Sequence, residues 1–561
     1  MRQRSDNKIH RKIKGLFPID YKKNQLPKFL DSFFKVLDKK TDKNFARISG
    51  KYGKDEYKGL IEKYSILPKE IKDPLKKCNE IVFDLFSGVP RWRSPQLQYN
   101  IGAPANTAAV AMYSLALDEN IYNINDGLAG NILVAEQAVT KILANLADIK
   151  TRAHGLFTFG GTATNLYAIK VGTKKASPNS GKKGMPENII VVVTKDSHFS
   201  HKVSADWLGI GTDNVVVIES NPDRSSDLKD AEKKMREILK KGNLLGTIII
   251  NGGTTYDHTV DDIKSFVGLR NKIVKDFSLS YKPHLHVDTV IGWTWLMFND
   301  YDFLKNDLKI DKETLQKIKE QYNKLSYLKY ADSWGADFHK GVGSCPVPCS
   351  IIMFNNIADS VLLSKKEGSF IDMHQLALDF SFTAPADFTL ETSRPGGAAL
   401  AALASLHTLG INSYRRNLAN LVKLSLLTKK LLSNYNDVIV YNKNSLGHVT
   451  MFGLCPPGLK TYQKRFSAST KEVKELRGFI EIVNKYTKEF FSWDHKDRIL
   501  NNLGVEYSFS GGYMELSNGI KISAVKLYPV SPHLNKSHIE KAVKIIMKQK
   551  ALFDQKIWKK K

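Results

Sequence analysis

IIVVVTKDSHFSHKVSADWLGIGTDNVVVIES, Ile189–Ser220, reads as a strand, a loop, a helix and a second strand. Ile189–Thr194 and Val215–Glu219 are short runs rich in valine and isoleucine without polar alternation, as strands covered on both faces are. His201–Leu208 between them has the composition of a helix. Outward from this unit the pattern repeats. Gly246–Asn251 and Leu285–Asp288 are further strand runs, and Leu166–Lys174, Ser226–Lys240 and Asp262–Lys275 are the helices expected between and beside them. Strands alternating with helices predict an α/β fold on a mainly parallel sheet, and such sheets bind ligands beyond the carboxyl ends of their strands. His198 follows the first run, Gly252–Thr255 follows the third, and Asp288 closes the fourth.

A second stretch, Tyr330–Ser350 (YADSWGADFHKGVGSCPVPCS), sets Lys340 after His339 and before Gly341 and Gly343, in a turn of small residues. A lysine in so lysine-rich a chain is ordinarily a solvated charge. Its company singles this one out: GGTATN at Gly160–Asn165, DSHFSHK at Asp196–Lys202, GGTT at Gly252–Thr255 and HVD at His286–Asp288. In this order and at these separations the segments resemble the pyridoxal-phosphate-dependent amino-acid decarboxylases of group II, the glutamate and aromatic-L-amino-acid decarboxylase type. The resemblance runs from about Pro90 to Gly397. It implies the aspartate-aminotransferase-like fold (fold type I), with a large, mainly parallel seven-stranded sheet domain, a smaller C-terminal α+β domain and an N-terminal helical segment. It also implies pyridoxal 5'-phosphate as cofactor, loss of the α-carboxylate of an L-amino acid as carbon dioxide, and a homodimer.

The roles follow residue by residue from the resemblance. Lys340 would hold the cofactor as a Schiff base, which an incoming amino acid displaces. Asp288 would pair with the pyridine nitrogen and keep it protonated; read alone, it is a strand-end aspartate that caps a loop. Gly161, Thr162 and Ala163 would receive the phosphate at a helix N-terminus, where free N–H groups and the dipole favour an anion, although a glycine pair alone is more often a turn. Ser333 and His339 match positions that reach the phosphate region, and Asp337 stands where the family carries Asn or Asp. His198 would stack on the cofactor ring and face the substrate carboxylate, or be a satisfied core histidine. His201, in the same context, has no family counterpart. Thr254 would reach the ring hydroxyl, and Gln96 would lie on a substrate-facing loop or on a bland surface loop. The GGTATNLYAI segment looks nearest the glutamate type and tilts the substrate toward acidic amino acids.

One departure bears on the reaction. Family decarboxylases usually carry a loop tyrosine that returns a proton to the substrate carbon, and Asn355–Ser393 contains no tyrosine, only Phe370, Phe380, Phe382 and Phe388. Loss of that hydroxyl is associated with oxidative decarboxylation, so an aldehyde synthase or a carbon–carbon lyase is the alternative within the fold. A basic binding protein without catalysis is the alternative outside it.

Composition sets the outer limits. The chain has 561 residues, 42% hydrophobic and 25% charged, which is ordinary for a soluble protein. The net charge of +27 comes from lysines spread along the chain and interleaved with acids, with no nucleic-acid module beside them, so neither nucleic acid nor membrane is expected as a partner. No signal peptide or membrane span is apparent. Cys78, Cys345, Cys349 and Cys455 form no disulfide or metal pattern, and a cytoplasmic location is expected. The domains expected are a helical segment over 1–90, a cofactor domain over 91–405 and an α+β domain over 406–561. Asp302–Tyr327 reads as a charged helical insertion without chemistry, and Asn518-Gly519 marks a hairpin.

Overall fold

The structure is a computed structural model and describes residues 13–69, 73–364, 384–459, 474–501, 504–516 and 519–560. The chain packs as two units, Met1–Leu97 with His495–Glu506, and Gln98–Asp494 with Tyr507–Lys561. The first unit carries helices Leu26–Lys40, Lys54–Tyr64 and Pro74–Leu85. Pro74 opens the last of these, and the Asp73 side chain caps it by accepting from Lys76 N.

The second unit is built on seven strands: β1 His154–Thr158, β2 Ile189–Thr194, β3 Val215–Ile218, β4 Leu244–Asn251, β5 His284–Asp288, β6 Ser333–Asp337 and β7 Ser350–Phe354. Their order across the sheet is β1-β7-β6-β5-β4-β2-β3. β7 is antiparallel to both neighbours, and the pairings from β6 to β3 are all parallel. Two reversals at β7 make β1 run the same way as β6, so six carboxyl ends, those of β1 to β6, open on one rim, and the site lies on that rim. Every residue of β2 is buried, which accounts for its unbroken Ile-Ile-Val-Val-Val sequence. Helices α1 Gly161–Ala176, α2 Ser200–Trp207, α3 Leu228–Lys240 and α4 Ile263–Asp276 connect the parallel strands, close to the expected ranges.

The 302–327 segment contains helix α5, Lys312–Leu325, capped by Asp311 and buried along Thr314, Ile318, Gln321 and Leu325. It is docked on one face rather than loose, and it contributes nothing to the site described below. Helix α6, Gly397–Ser433, is interrupted at Gly410, where φ is +64°; only a glycine adopts that conformation without strain. Beyond it, strands β8 Val438–Val440, β9 Thr450–Leu454, β10 Glu506–Glu515 and β11 Lys521–Leu527 pair antiparallel in the order β10-β11-β9-β8. The expected hairpin pairs Glu515 with Lys521; Asn518 itself lies outside the described residues. Among the described residues, no helix is long and apolar enough to cross a membrane.

Candidate active site

A cavity of about 240 Å³ opens at the carboxyl ends of β1, β4, β5 and β6. It brings together Gly161, Thr162, His198, Thr254, Asp288, Asp337, His339 and Lys340 of the residues expected from sequence. Three others lie elsewhere. Ala163 is fully buried behind the helix start, and its N–H is spent on Gly160 O at 2.9 Å. Ser333 pairs with His286, two residues before the end of β5, and its hydroxyl is held between His284 Nε2 at 2.7 Å and His286 Nδ1 at 2.8 Å. It is sealed inside the sheet and does not line the cavity. Gln96 belongs to the first unit, where it is buried and its carbonyl accepts from Glu506 N.

Asp288 is 7% exposed. Its Oδ2 accepts from His201 Nε2 at 2.9 Å and from Asn165 Nδ2 at 3.2 Å, while Oδ1 meets the Val290 N–H at 3.4 Å. Burial alone would push this carboxyl up. The hydrogen bond and charge of His201, joined by His198 and His286, outweigh it and hold Asp288 well below the usual carboxylate range. The group therefore stands ionised at the cavity wall.

His198 sits on the loop from β2 to α2 with its ring open to the cavity. Its Nδ1 accepts from the Ser200 N–H at 3.2 Å and lies 2.8 Å from Ser200 Oγ, which in turn accepts from Asn165 Nδ2 at 3.1 Å. Two donors at Nδ1 place the ring proton on Nε2. The surrounding protein lowers the pKa through burial, the largest effect, which Asp288 opposes and Lys340 reinforces. His198 is a neutral ring with one N–H to offer.

Lys340 is fixed by the turn after β6: Gly341 N donates to Ile101 O at 2.9 Å and Gly343 N to Lys340 O at 3.0 Å. Its Nζ lies 2.8 Å from Asp337 Oδ2, and the Asp337 side chain is fully buried. Burial works against the ammonium, but the charge and hydrogen bond of Asp337, with Asp288 behind them, raise the pKa above the ordinary lysine value. His339 Nε2 is 3.7 Å from the same oxygen. A Cβ at position 161 would fall 2.6 Å from Asp337 Oδ2, so the start of α1 can approach this carboxylate only as glycine. Gly160, at φ +139°, turns the chain into α1. The first turn of that helix has N–H groups with no intrahelical acceptor, and Gly161 and Thr162 bring it to the cavity. On the other side, Thr254 Oγ1 accepts from Thr259 N at 3.0 Å, which leaves its hydroxyl proton free to donate.

Three residues of this arrangement escaped the sequence reading. His201 had no expected role, yet it is 1% exposed and holds Asp288. Its signal was spacing, because Ser204 and Ala205 lie one helical turn on and are buried with it, so the helix turns that face to the sheet. Asn165 links Ser200 to Asp288. Lys526, on β11, is 6% exposed; its Nζ donates to Asn100 Oδ1 at 2.9 Å and stands 5.4 Å from the Tyr256 ring centre. Burial pushes it down to about 8, and among the described residues no carboxylate pairs with it. Tyr256 follows Thr255 of the cavity wall, and Asn100 precedes Ile101–Gly102, which bond to Lys340 and Gly341. Lys526 itself does not line the cavity; its two neighbours, Asn100 and Tyr256, are each close in sequence to residues that do or that bond to Lys340 and Gly341.

Residues 55–453 match the family model described as the pyridoxal-dependent decarboxylase conserved domain. L-2,4-diaminobutyrate decarboxylase of Rhizobium meliloti is 23% identical over 349 residues, 60% of this chain and 62% of that protein's length. The L-aspartate/L-glutamate decarboxylase of Pyrococcus horikoshii is 25% identical over 382 residues, covering 67% of this chain and 83% of the other. The crystal structure of mouse CSAD in apo form superposes with a TM-score of 0.73 at 15% identity, over 93% of this chain and 98% of that one. That likeness is one of fold, and it is the fold expected from sequence.

Proposed function

Because the chain belongs to the pyridoxal-dependent decarboxylase family, we propose that it removes the α-carboxylate of an acidic L-amino acid, giving the amine and carbon dioxide. The observation that carries the reading is one cavity holding a lysine paired with a buried carboxylate, Lys340 with Asp337, and an ionised, hydrogen-bonded aspartate, Asp288. The residues present fit pyridoxal phosphate: a glycine cradle at a helix start, a carboxylate for the ring nitrogen, a histidine face and a lysine amine. When bound, the cofactor supplies an electron-withdrawing ring that takes up the electrons left as the carboxylate departs. Lys340 Nζ would anchor it, Gly161 and Thr162 would receive its phosphate, and Thr254 would donate near its ring hydroxyl. Asp288 Oδ1 would hold a proton at the ring nitrogen. His198 Nε2–H would donate to the substrate carboxylate and set its orientation. Lys340, once free, is kept as an ammonium by Asp337 and would return a proton to the substrate carbon.

The acidic substrate rests on Lys526, a buried cation that no carboxylate pairs with among the described residues and whose neighbours Asn100 and Tyr256 adjoin the segments of the site, and is in line with the likeness to the aspartate/glutamate enzyme. The division of the chain at 90 and 405 remains part of the proposal. A homodimer in the cytoplasm completes the reading. The homodimer is supported by the exposed apolar side chains of the first unit, where Phe17, Phe34, Ile61, Ile66 and Leu67 are all more than 60% exposed.

Borohydride reduction of the cofactor-loaded protein followed by peptide mapping should place the label on Lys340. A label on another lysine removes the site assignment. Carbon dioxide release measured across the twenty amino acids should be greatest with aspartate or glutamate, and a preference for aromatic substrates would overturn the acidic reading.

A further inference from the structure

We propose that His201 is a positioning residue for Asp288: its Nε2–H fixes Oδ2 so that Oδ1 is the atom offered to the cavity. The inference rests on the reading that Asp288 meets the cofactor's ring nitrogen, and it assigns that meeting to one oxygen and one supporting side chain.

A carboxylate turns about its last side-chain torsion with little resistance, so its direction is set by the donors around it. Here they are uneven. Oδ2 receives His201 Nε2 at 2.9 Å and Asn165 Nδ2 at 3.2 Å, whereas the donor near Oδ1 is Val290 N at 3.4 Å. Asn165 makes the longer contact, and its second amide N–H goes to Ser200 Oγ at 3.1 Å. His201 makes the shorter one. It is 1% exposed, and its Nδ1 has no hydrogen-bond partner among the described residues, so its polar capacity is directed at Asp288 alone. Burying an imidazole with one nitrogen bare is unfavourable; the bond to Asp288 is the favourable interaction this side chain makes in return.

Position reinforces the argument. His201 lies in the first turn of α2, directly after Ser200, which holds His198. One helix start therefore registers both the ring that covers the cavity and the carboxylate at its wall, and Asn165 on α1 ties the two together. An aliphatic residue at 201 would leave Oδ2 with the longer Asn165 contact alone and free the carboxylate to turn.

The test compares His201→Leu, His201→Gln, Asp288→Asn and the double variant His201→Leu/Asp288→Asn. Each is read by titration of the apoprotein with pyridoxal phosphate, by the visible absorbance of the bound cofactor and by the thermal midpoint. His201→Leu should weaken cofactor binding by roughly tenfold to a hundredfold, the range for a hydrogen bond to a charged group, and shift the absorbance. His201→Gln, which keeps a donor, should recover most of the affinity. In the Asp288→Asn background His201→Leu should cost little affinity, because the group it then orients is a neutral amide and not the carboxylate that pairs with the ring nitrogen. An undiminished loss in that background, or no recovery with glutamine, would show that His201 only packs. If Asp288→Asn alone leaves affinity and absorbance at parental values, the ring-nitrogen reading itself falls and this inference with it. Should His201→Leu not fold, His201→Met takes its place in the same cycle.

Discussion

Asp288→Asn reverses the polarity of one wall of the cavity, and the structure says which way the new amide will face. Oδ2 of Asp288 receives two donors, His201 Nε2 and Asn165 Nδ2. An amide oxygen can take their place as acceptor and an amide nitrogen cannot, so the oxygen of the substituted side chain stays on that side and its NH₂ turns to the cavity. There it would donate to the ring nitrogen and favour the unprotonated ring, the opposite of what a carboxylate does. A full charge pair at contact distance is worth about 4 kcal/mol at an effective dielectric near 20. With the hydrogen bond kept in altered form, roughly two to three decades of rate should be lost. The assay is carbon dioxide release at saturating cofactor and saturating substrate, so that weaker cofactor binding does not pass for slower chemistry. The thermal midpoint should be close to parental, because the oxygen still satisfies both buried donors. Near-parental turnover would refute the pairing, and so would a loss explained by a collapsed midpoint.

Removing the carboxylate beside the lysine, Asp337→Asn, takes away what raises the Lys340 pKa, so the rate at which the apoprotein captures pyridoxal phosphate, which needs the free amine, should reach its plateau at lower pH than in the parent; an unmoved profile would show that Asp337 does not govern this amine. Lys526→Met should raise KM for acidic amino acids by roughly tenfold to a hundredfold while neutral ones are little affected, and equal effects on both would remove Lys526 from substrate recognition. Lys429 is 3% exposed and burial pushes it down to about 7. Between that value and the unfolded one of about 10.4 the native state binds fewer protons, so parental stability should rise with pH relative to Lys429→Met by about 1 kcal/mol per unit and stop changing below pH 7; denaturant midpoints from pH 6 to 10 that stay parallel would contradict the burial. Oxygen uptake and peroxide formation should stay far below carbon dioxide release, whereas stoichiometric peroxide and aldehyde would make the chain an aldehyde synthase.

The layer structure was legible because its signal is local. Unbroken valine and isoleucine runs are what a doubly covered strand requires, and the helices between them follow from spacing alone. Lys340, Asp288, Thr254 and the Gly160–Gly161 turn sit at strand or helix ends, where the chain leaves the sheet, so their shared rim follows from topology once the strands are parallel. Ser333 was misplaced because its reach depends on sheet register: pairing with His286 sets it two residues short of the rim, and no local pattern records a register between strands 47 residues apart. Ala163 differs from Gly161 by where its N–H is already spent. Lys526 was invisible because its surroundings, Asn100 and Tyr256, come from segments hundreds of residues away. Of the loop phenylalanines, Phe388 is buried against His154, with ring centres 5.1 Å apart; Phe370, Phe380 and Phe382 lie outside the described residues.

Proton return ties these parts together. A histidine over the cofactor is the obvious donor, but the hydrogen bonds around His198 argue against it. Its Nδ1 accepts from the Ser200 N–H, so a second ring proton would meet that donor, and the neutral ring has only a weakly acidic N–H. Lys340 has the opposite setting. Its amine lies against the Asp337 carboxylate, which favours the ammonium, so an amine released when substrate takes its place is protonated at neutral pH and already at the cavity wall. On the proposed reading the two groups would divide the work by environment: His198, held neutral, would orient by donating from Nε2, and Lys340, held charged, would carry a proton that can be given up. On this division the absent tyrosine would not leave the substrate carbon without an acid, and phenylalanines in place of it between Asn355 and Ser393 are compatible with simple decarboxylation.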